Sequence, residues 1–381
     1  MPMTVRRFKN SELNISLLGL GTMRLPRINP DEAKIDDVRA KEILDYALAH
    51  GVNYIDTAYM YHDGDSERFL GDALADYDRA SYYLADKMPI WMAKEPADLE
   101  KIFDEQLRRL KTDYIDFYLC HSLTKVHFAR CKEMGLYEFL MQKKAEGKIR
   151  YIGFSFHDSP DVLEEIVNAY AWDFAQIQLN YADWEIQNAR RQYEILAENG
   201  IPCIVMEPVR GGALADICPT ANDMLKAARP NDSIASWAIR YAATKPNVLT
   251  VLSGMSNLDQ LKDNIATLSD FAPITEEEDA LLARAAHEWR MKDVIPCTAC
   301  RYCMDCPAGV DIPAMFAHFN EFAMNKSRGR YAKALNGADP ATLAGNCVAC
   351  GECAPHCPQH IAIPDKMAEL TKWEEKLIKQ A

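Results

Sequence analysis

Between about residues 13 and 270 of this 381-residue chain, short β-rich runs alternate with amphipathic helical patterns. The β-rich runs fall at 15–20, 52–57, 82–87, 114–120, 151–155, 174–180, 202–206 and 249–253. Helical patterns occupy 40–50, 99–110, 134–147, 162–171 and 187–199, with apolar residues recurring every three or four positions. Neighbouring parallel strands need a long crossover, and a helix is the usual one. Eight strands joined this way predict an α/β fold, a (β/α)8 TIM barrel over residues 1–272. An open doubly wound sheet is the alternative. It would normally carry G-x-G-x-x-G in its first turn, and that motif is absent.

Residues 273–295 read as a connecting helix. Thr275-Glu-Glu-Glu278 has the form of a capping box, with Ala280, Leu281, Leu282 and Ala285 behind it and an expected end near Asp293. Pro296 then introduces two cysteine runs. The first is Cys297-x2-Cys300-x2-Cys303-x2-Cys306-Pro307, and the second is Cys347-x2-Cys350-x2-Cys353-x3-Cys357-Pro358. Three thiolates at successive x2 spacings, with a fourth before proline, suit a cubane iron–sulfur cluster. Two runs predict two [4Fe–4S] clusters over 296–381. The helical pattern of the spacer, at 312–325 and 331–335, favours a small, mostly α-helical, ferredoxin-like iron–sulfur domain over a compact β-rich ferredoxin. In two-cluster patterns the fourth cysteine of each run binds the other cluster. One cluster would take Cys297, Cys300, Cys303 and Cys357. The other would take Cys347, Cys350, Cys353 and Cys306. Structural zinc is the plain alternative, but its cysteine pairs are normally separated by a longer loop. Disulfides would need an oxidising compartment.

Composition narrows the partners. The net charge of −13 repels nucleic acid and anionic membranes, so neither is expected. No run of 18 or more apolar residues is present to span a bilayer. The opening MPMTVRRFKNSELN lacks the apolar core of a signal peptide. With twelve cysteines, a cytoplasmic, reducing setting is expected. Cys120, Cys131, Cys203 and Cys218 read as core thiols.

In a barrel, the reacting groups gather where strands end at the C-terminal rim. Those ends carry Asp56, Lys87, His121, Ser155, Gln176, Gln178, Asn180 and Glu207. Each alone has a structural reading, as a helix cap, a solvated cation or a hydrogen-bonded wall residue.

Together they resemble something definite. Gly51-Val-Asn-Tyr-Ile-Asp56-Thr-Ala-Tyr-Met-Tyr61 is similar to the signature of the aldo/keto reductase family. So are Gly19-Leu-Gly21-Thr22, Tyr114-Ile-Asp-Phe-Tyr-Leu-Cys-His121 and Ile152-Gly-Phe-Ser155, in order over about residues 5–270. The resemblance implies a barrel that interconverts a small carbonyl compound and its alcohol with a nicotinamide cofactor, NAD(P)H. It also implies a catalytic tetrad of Asp56, Tyr61, Lys87 and His121. Tyr61 is preferred over Tyr59 by its five-residue step from Asp56, and Lys87 over Lys94, which lies beyond the strand. A free phenol has a pKa near ~10, too high for ready exchange at neutral pH. A neighbouring ammonium favours the phenolate. Lys87 would supply that charge, Asp56 would hold Lys87, His121 would orient the carbonyl, and Tyr61 would donate the proton.

The same resemblance places cofactor contacts at Gly21, Thr22, Ser155, Gln176, Met206, Gly211, Gly212 and Asn264. Ser155 and Gln176 match positions that hold the carboxamide, and Pro208-Val-Arg-Gly211-Gly212 matches the loop that cradles pyrophosphate. Three features depart from the family pattern. Phe156 follows Ser155 where asparagine is usual. Met206 replaces the stacking aromatic residue. Gly254 and Gln260 stand where a cation pair often binds the extra phosphate of NADP. Nicotinamide passes two electrons and a cluster passes one, and a flavin can convert between them. FMN in the barrel is therefore an alternative cofactor. A second expectation makes the chain a ferredoxin-linked electron-transfer or redox-sensing protein with little carbonyl turnover. Its partner would be a ferredoxin or another electron carrier.

Overall fold

The computed structural model describes residues 2–9, 11–29, 32–290, 294–325 and 328–378. It divides into two compact units. The first comprises Met1–Val209 with Ala235–Asp279, and the second comprises Arg210–Ile234 with Ala280–Ala381.

The first unit opens with an antiparallel hairpin, β1 (Val5–Arg7) and β2 (Asn14–Ser16). Eight parallel strands follow: β3 (Leu18–Gly21), β4 (Tyr54–Asp56), β5 (Tyr83–Met88), β6 (Ile115–Leu123), β7 (Ile149–Phe156), β8 (Phe174–Gln178), β9 (Cys203–Met206) and β10 (Val248–Gly254). They pair in sequence order, and β10 closes onto β3 through Gly254 and Gly21. The expected barrel is present. The run at 15–20 differs from its reading as one strand. It breaks at Leu17, whose N–H bonds to the Thr4 carbonyl at 2.8 Å, while the Ser16 hydroxyl turns onto the Leu18 carbonyl at 2.6 Å.

Side-chain alternation along a strand sorts the barrel interior into layers. Tyr54, Ala85, Phe117, Leu119, Phe174 and Ile204 form one buried apolar cluster with Phe8 from the hairpin. Phe117 meets Phe8, Tyr54 and Phe174 edge-on, with ring centroids 5.1–5.3 Å apart. Two residues further along the same strands stand Asp56, Lys87, His121 and Gln176. One face of each strand thus carries apolar packing below and polar groups above.

Three helices matter for the site: α1 (Asp37–Ala49), α2 (Asp65–Ala73) and α3 (Ala97–Leu110). Asp36 caps α1 by accepting from the Arg39 N–H. The strip Leu99, Ile102, Phe103, Gln106 and Leu110 buries one face of α3, at the spacing of an amphipathic helix.

The second unit holds a helix-rich segment that carries the two cysteine runs. The capping box is observed before it, in the first unit: Glu278 N–H donates to Thr275 Oγ1, and Thr275 N–H to Glu278 Oε2. The helix it starts, α4 (Glu276–Arg290), is followed by α5 (Ile312–Asn325), α6 (Arg328–Gly337) and α7 (Ile363–Ile378). The expected helix end near Asp293 lies outside the described residues. Ile295, Val310, Ile312, Met315, Phe316, Ile361, Ile363 and Met367 form an apolar core, against which six of the eight clustered cysteines pack. Among the described residues, no helix is long and apolar enough to cross a membrane.

Candidate active site and cysteine-lined recesses

Asp56 ends β4, Lys87 lies near the end of β5, and Tyr61 stands in the turn between β4 and α2. Lys87 Nζ donates to Asp56 Oδ1 at 2.7 Å and to the Thr57 carbonyl at 2.6 Å. The Tyr61 hydroxyl lies 3.5 Å from the same ammonium. Lys87 and Asp56 are 1% and 4% exposed at the side chain, so the pair is closed to solvent. Two ions so deep lose their hydration, and close pairing offsets that loss. Burial pushes the Asp56 carboxyl up, and Lys87 opposes the rise.

His121 arrives by a local irregularity. β6 pairs with β7 through Cys120, its register shifts, and pairing resumes at Leu123. Ser122 takes a left-handed φ of 53° at the slip, and such bulges re-aim neighbouring side chains. The His121 ring stands edge-on to Tyr61, with centroids 6.2 Å apart. Burial, then the charges of Lys87, His157 and His127, hold its imidazole well below the usual range. A neutral ring results, able to donate or accept one hydrogen bond without adding charge.

The structure brings all four expected tetrad residues together. Tyr59 turns elsewhere, its ring 4.5 Å from the Arg109 guanidinium. Lys94 is exposed. Cys120 turns away from His121 toward the thiol of Cys131. Sequence reasoning missed Trp91. Its ring lies 5.1 Å from those of both His121 and His127. A single 3-10 turn, Ile90–Met92, carries it there, and hydrophobic periodicity gives no signal for so short a turn.

The expected cofactor contacts are placed as follows. Thr22 is buried, and its hydroxyl donates to the Asp56 carbonyl at 2.9 Å, so it braces the tetrad strand. Gly21 pairs with Asp56 across β3 and β4. Ser155 Oγ accepts from the Ser122 N–H at 2.7 Å. Gln176 Nε2 lies 3.5 Å from Met206 Sδ, and its buried Oε1 has no partner among the described residues. An orphaned acceptor there fits the amide N–H of a nicotinamide carboxamide. Asn264 Nδ2 donates to Ser253 Oγ at 3.0 Å. Gln178 and Asn180 both bond to Asp183, and Glu207 pairs with Arg24 at 3.0 Å. Gly211 and Gly212 belong to the second unit, with φ of 65° and 97°. A Cβ on Gly211 would lie 2.4 Å from the Thr298 carbonyl oxygen.

The clustered cysteines ring two separate recesses. Cys297, Cys300, Cys303 and Cys357 line one. Cys306, Cys347, Cys350 and Cys353 line another. The fourth cysteine of each run thus faces the other run's recess. Ile312 and Ile363 contribute apolar walls to both. Burial pushes the Cys303, Cys353 and Cys357 thiols up, a cost that iron ligation reverses by holding each as thiolate. Four thiols around each recess are the donor set of a cubane cluster.

Comparison with known proteins agrees with this geometry. The family model of the aldo/keto reductases matches residues 17–286. The chain belongs to the aldo/keto reductase family. It is therefore an oxidoreductase by family, and it carries an addition: a 4Fe–4S dicluster domain model matches residues 296–362. Among similar proteins, an uncharacterised oxidoreductase of Bacillus subtilis, YqkF, is 28% identical, covering 72% of this chain and 94% of the relative. The NADH-specific methylglyoxal reductase of Escherichia coli is 26% identical, covering 68% and 91%. The holo form of aldo-keto reductase AKR11C1 from Bacillus halodurans superposes with a TM-score of 0.61 at 28% identity, covering 74% and 96%.

Proposed function

We propose that the barrel interconverts a small carbonyl compound and its alcohol, using NADH or NADPH, with Tyr61 as the proton donor. The observation that carries this reading is the Tyr61 hydroxyl 3.5 Å from a buried Lys87 ammonium that Asp56 holds at 2.7 Å. A bound nicotinamide supplies hydride to the carbonyl carbon. The charge that gathers on the carbonyl oxygen needs a proton, and the Tyr61 hydroxyl gives it. Lys87 stabilises the phenolate left behind, because a nearby cation favours the charged form. Asp56 keeps the ammonium aimed at Tyr61. Neutral His121 donates one hydrogen bond to the carbonyl oxygen and orients it. Trp91 walls the mouth beside His121 and excludes water. The orphaned Gln176 Oε1, with Ser155 nearby in register on β7, supports nicotinamide over FMN as the resident cofactor. The NADH dependence in the name of the E. coli relative is in keeping with this.

In the second unit, the two recesses support two [4Fe–4S] clusters with crossed fourth ligands. One observation favours an electron-transfer role. Cys350 is exposed, and its neighbour Val348 is 70% exposed, so the second recess opens to solvent where a ferredoxin or similar carrier can approach.

Anaerobically purified protein tests both parts. The reading expects brown iron–sulfur absorbance without flavin bands, and NAD(P)H oxidation on adding small aldehydes or ketones. Turnover with reduced ferredoxin but none with NAD(P)H would replace the reductase reading with the electron-transfer one.

A further inference from the structure

Behind the strand that carries Lys87 lies a buried polar cluster outside the tetrad. Gln106 of α3 donates from Nε2 to the Lys87 carbonyl at 3.0 Å and to Glu67 Oε1 at 3.2 Å. Its Oε1 accepts from the Tyr118 hydroxyl. Glu67 of α2 is closed to solvent, and its Oε2 takes Arg109 Nη1 at 2.8 Å. The same Nη1 donates to the Tyr59 carbonyl at 3.3 Å. A Cβ on Gly64, three residues past Tyr61, would lie 2.7 Å from that nitrogen. Asp86 Oδ1 accepts the Lys87 N–H at 2.8 Å. Burial, then the charge of Glu67, pushes the Asp86 carboxyl well above the usual carboxylate range.

Joining α2 to α3 does not need such a cluster. Apolar packing would do that without the desolvation cost of buried ions. The placement of its two ends is informative. One end fixes the backbone of Lys87. The other fixes the 59–64 turn that carries Tyr61.

We propose that Gln106 and Arg109, joined through Glu67, are positioning residues that set the separation of the Lys87 ammonium and the Tyr61 hydroxyl. This rests on the reading of Tyr61 as proton donor. Coulomb attraction falls inversely with distance, so one added ångström weakens this contact by about a fifth. Misplacement of that size costs up to about 100-fold in rate.

The test uses the full chain with Gln106→Met and Arg109→Lys. Glu105→Gln, which removes the solvent-side partner of Arg109, serves as control. Gln106→Met is expected to lower kcat about 10- to 100-fold while KM and NAD(P)H affinity stay within about twofold. Arg109→Lys keeps the charge on Glu67 and loses less, and the control keeps wild-type kcat. Tyr61 ionisation is followed as tyrosinate absorbance, each protein minus its Tyr61→Phe counterpart. The groups facing this phenol are Lys87, Asp56 behind it, and His121. The transition is expected at higher pH in both variants than in wild type. Folded variants in which Tyr61 titrates at the wild-type pH overturn the proposal. Wild-type protein without carbonyl turnover refutes the proton-donor reading instead, and the titration still decides the positioning. Should Gln106→Met not fold, the Arg109→Lys titration decides alone.

Discussion

Lys87 Nζ lies 2.7 Å from Asp56 Oδ1, and neither side chain reaches solvent. Breaking such a pair leaves an uncompensated buried ion. Asp56→Asn is expected to cost about 3–5 kcal/mol of stability. It should also lower kcat by about 10²- to 10⁴-fold, because the cation that supports Tyr61 loses its anchor. Denaturant unfolding and steady-state carbonyl reduction check the two halves. Wild-type stability in the variant would mean that the buried pair is not held as described.

His121 gives a pH signature. Its folded-state value is held well below the usual range, chiefly by burial, so the unfolded chain takes up its proton first as pH falls. The stability this neutral ring contributes is complete above about pH 6.5 and is lost as pH drops below it, by up to about 1.4 kcal/mol per pH unit. His121→Gln should flatten that slope. Urea midpoints for wild type and variant between pH 5.5 and 7.5 measure it. Parallel slopes in the two proteins would contradict a neutral His121.

Cluster ligation makes a paired prediction. Cys357 lines the recess of Cys297, Cys300 and Cys303, although it belongs to the second run. Cys357→Ser and Cys300→Ser should therefore remove the same cluster, and Cys306→Ser and Cys350→Ser the other. Each single variant should retain about four of eight irons. The double variant Cys300→Ser/Cys357→Ser should lose no more iron than either single one. Loss of all iron from that double variant would show uncrossed ligation.

Gly211 has no room for a side chain. A Cβ there would come within 3 Å of the backbone oxygen, carbon and α-carbon of Thr298, between Cys297 and Cys300. Backbone cannot swing aside as a side-chain tip can. Gly211→Ala should disturb the cluster held by Cys297 and its partners and leave the other intact. Comparison of the two clusters' paramagnetic signals reads this out. Unchanged spectra from both would mean that the 210–212 turn moves away freely.

Much of this was legible in the sequence, for physical reasons. Strand runs such as 52–57 and 82–87 show as apolar, β-rich stretches because both faces of a barrel strand are buried. Asp56, Lys87 and His121 could be picked out as rim candidates because each stands at a strand end, and strand ends converge in a barrel; choosing them with Tyr61 as a tetrad took the resemblance to the aldo/keto reductases. The cysteine spacing carried the crossed recesses. Three features had no local signal. The split at Leu17 depends on a hydrogen bond to Thr4, outside any periodic pattern. Trp91 depends on one 3-10 turn. The Gly211–Thr298 approach joins residues far apart along the chain, and only folding brings them together.

The proton donor is the centre of the account, and Tyr61→Phe tests it most directly. The variant removes one oxygen and leaves the ring. NAD(P)H binding, followed by nucleotide fluorescence, should match wild type, while carbonyl turnover should fall by about 10²- to 10⁴-fold. Turnover equal to wild type, with the nucleotide bound normally, would contradict the assignment of Tyr61 as the group that hands the carbonyl oxygen its proton.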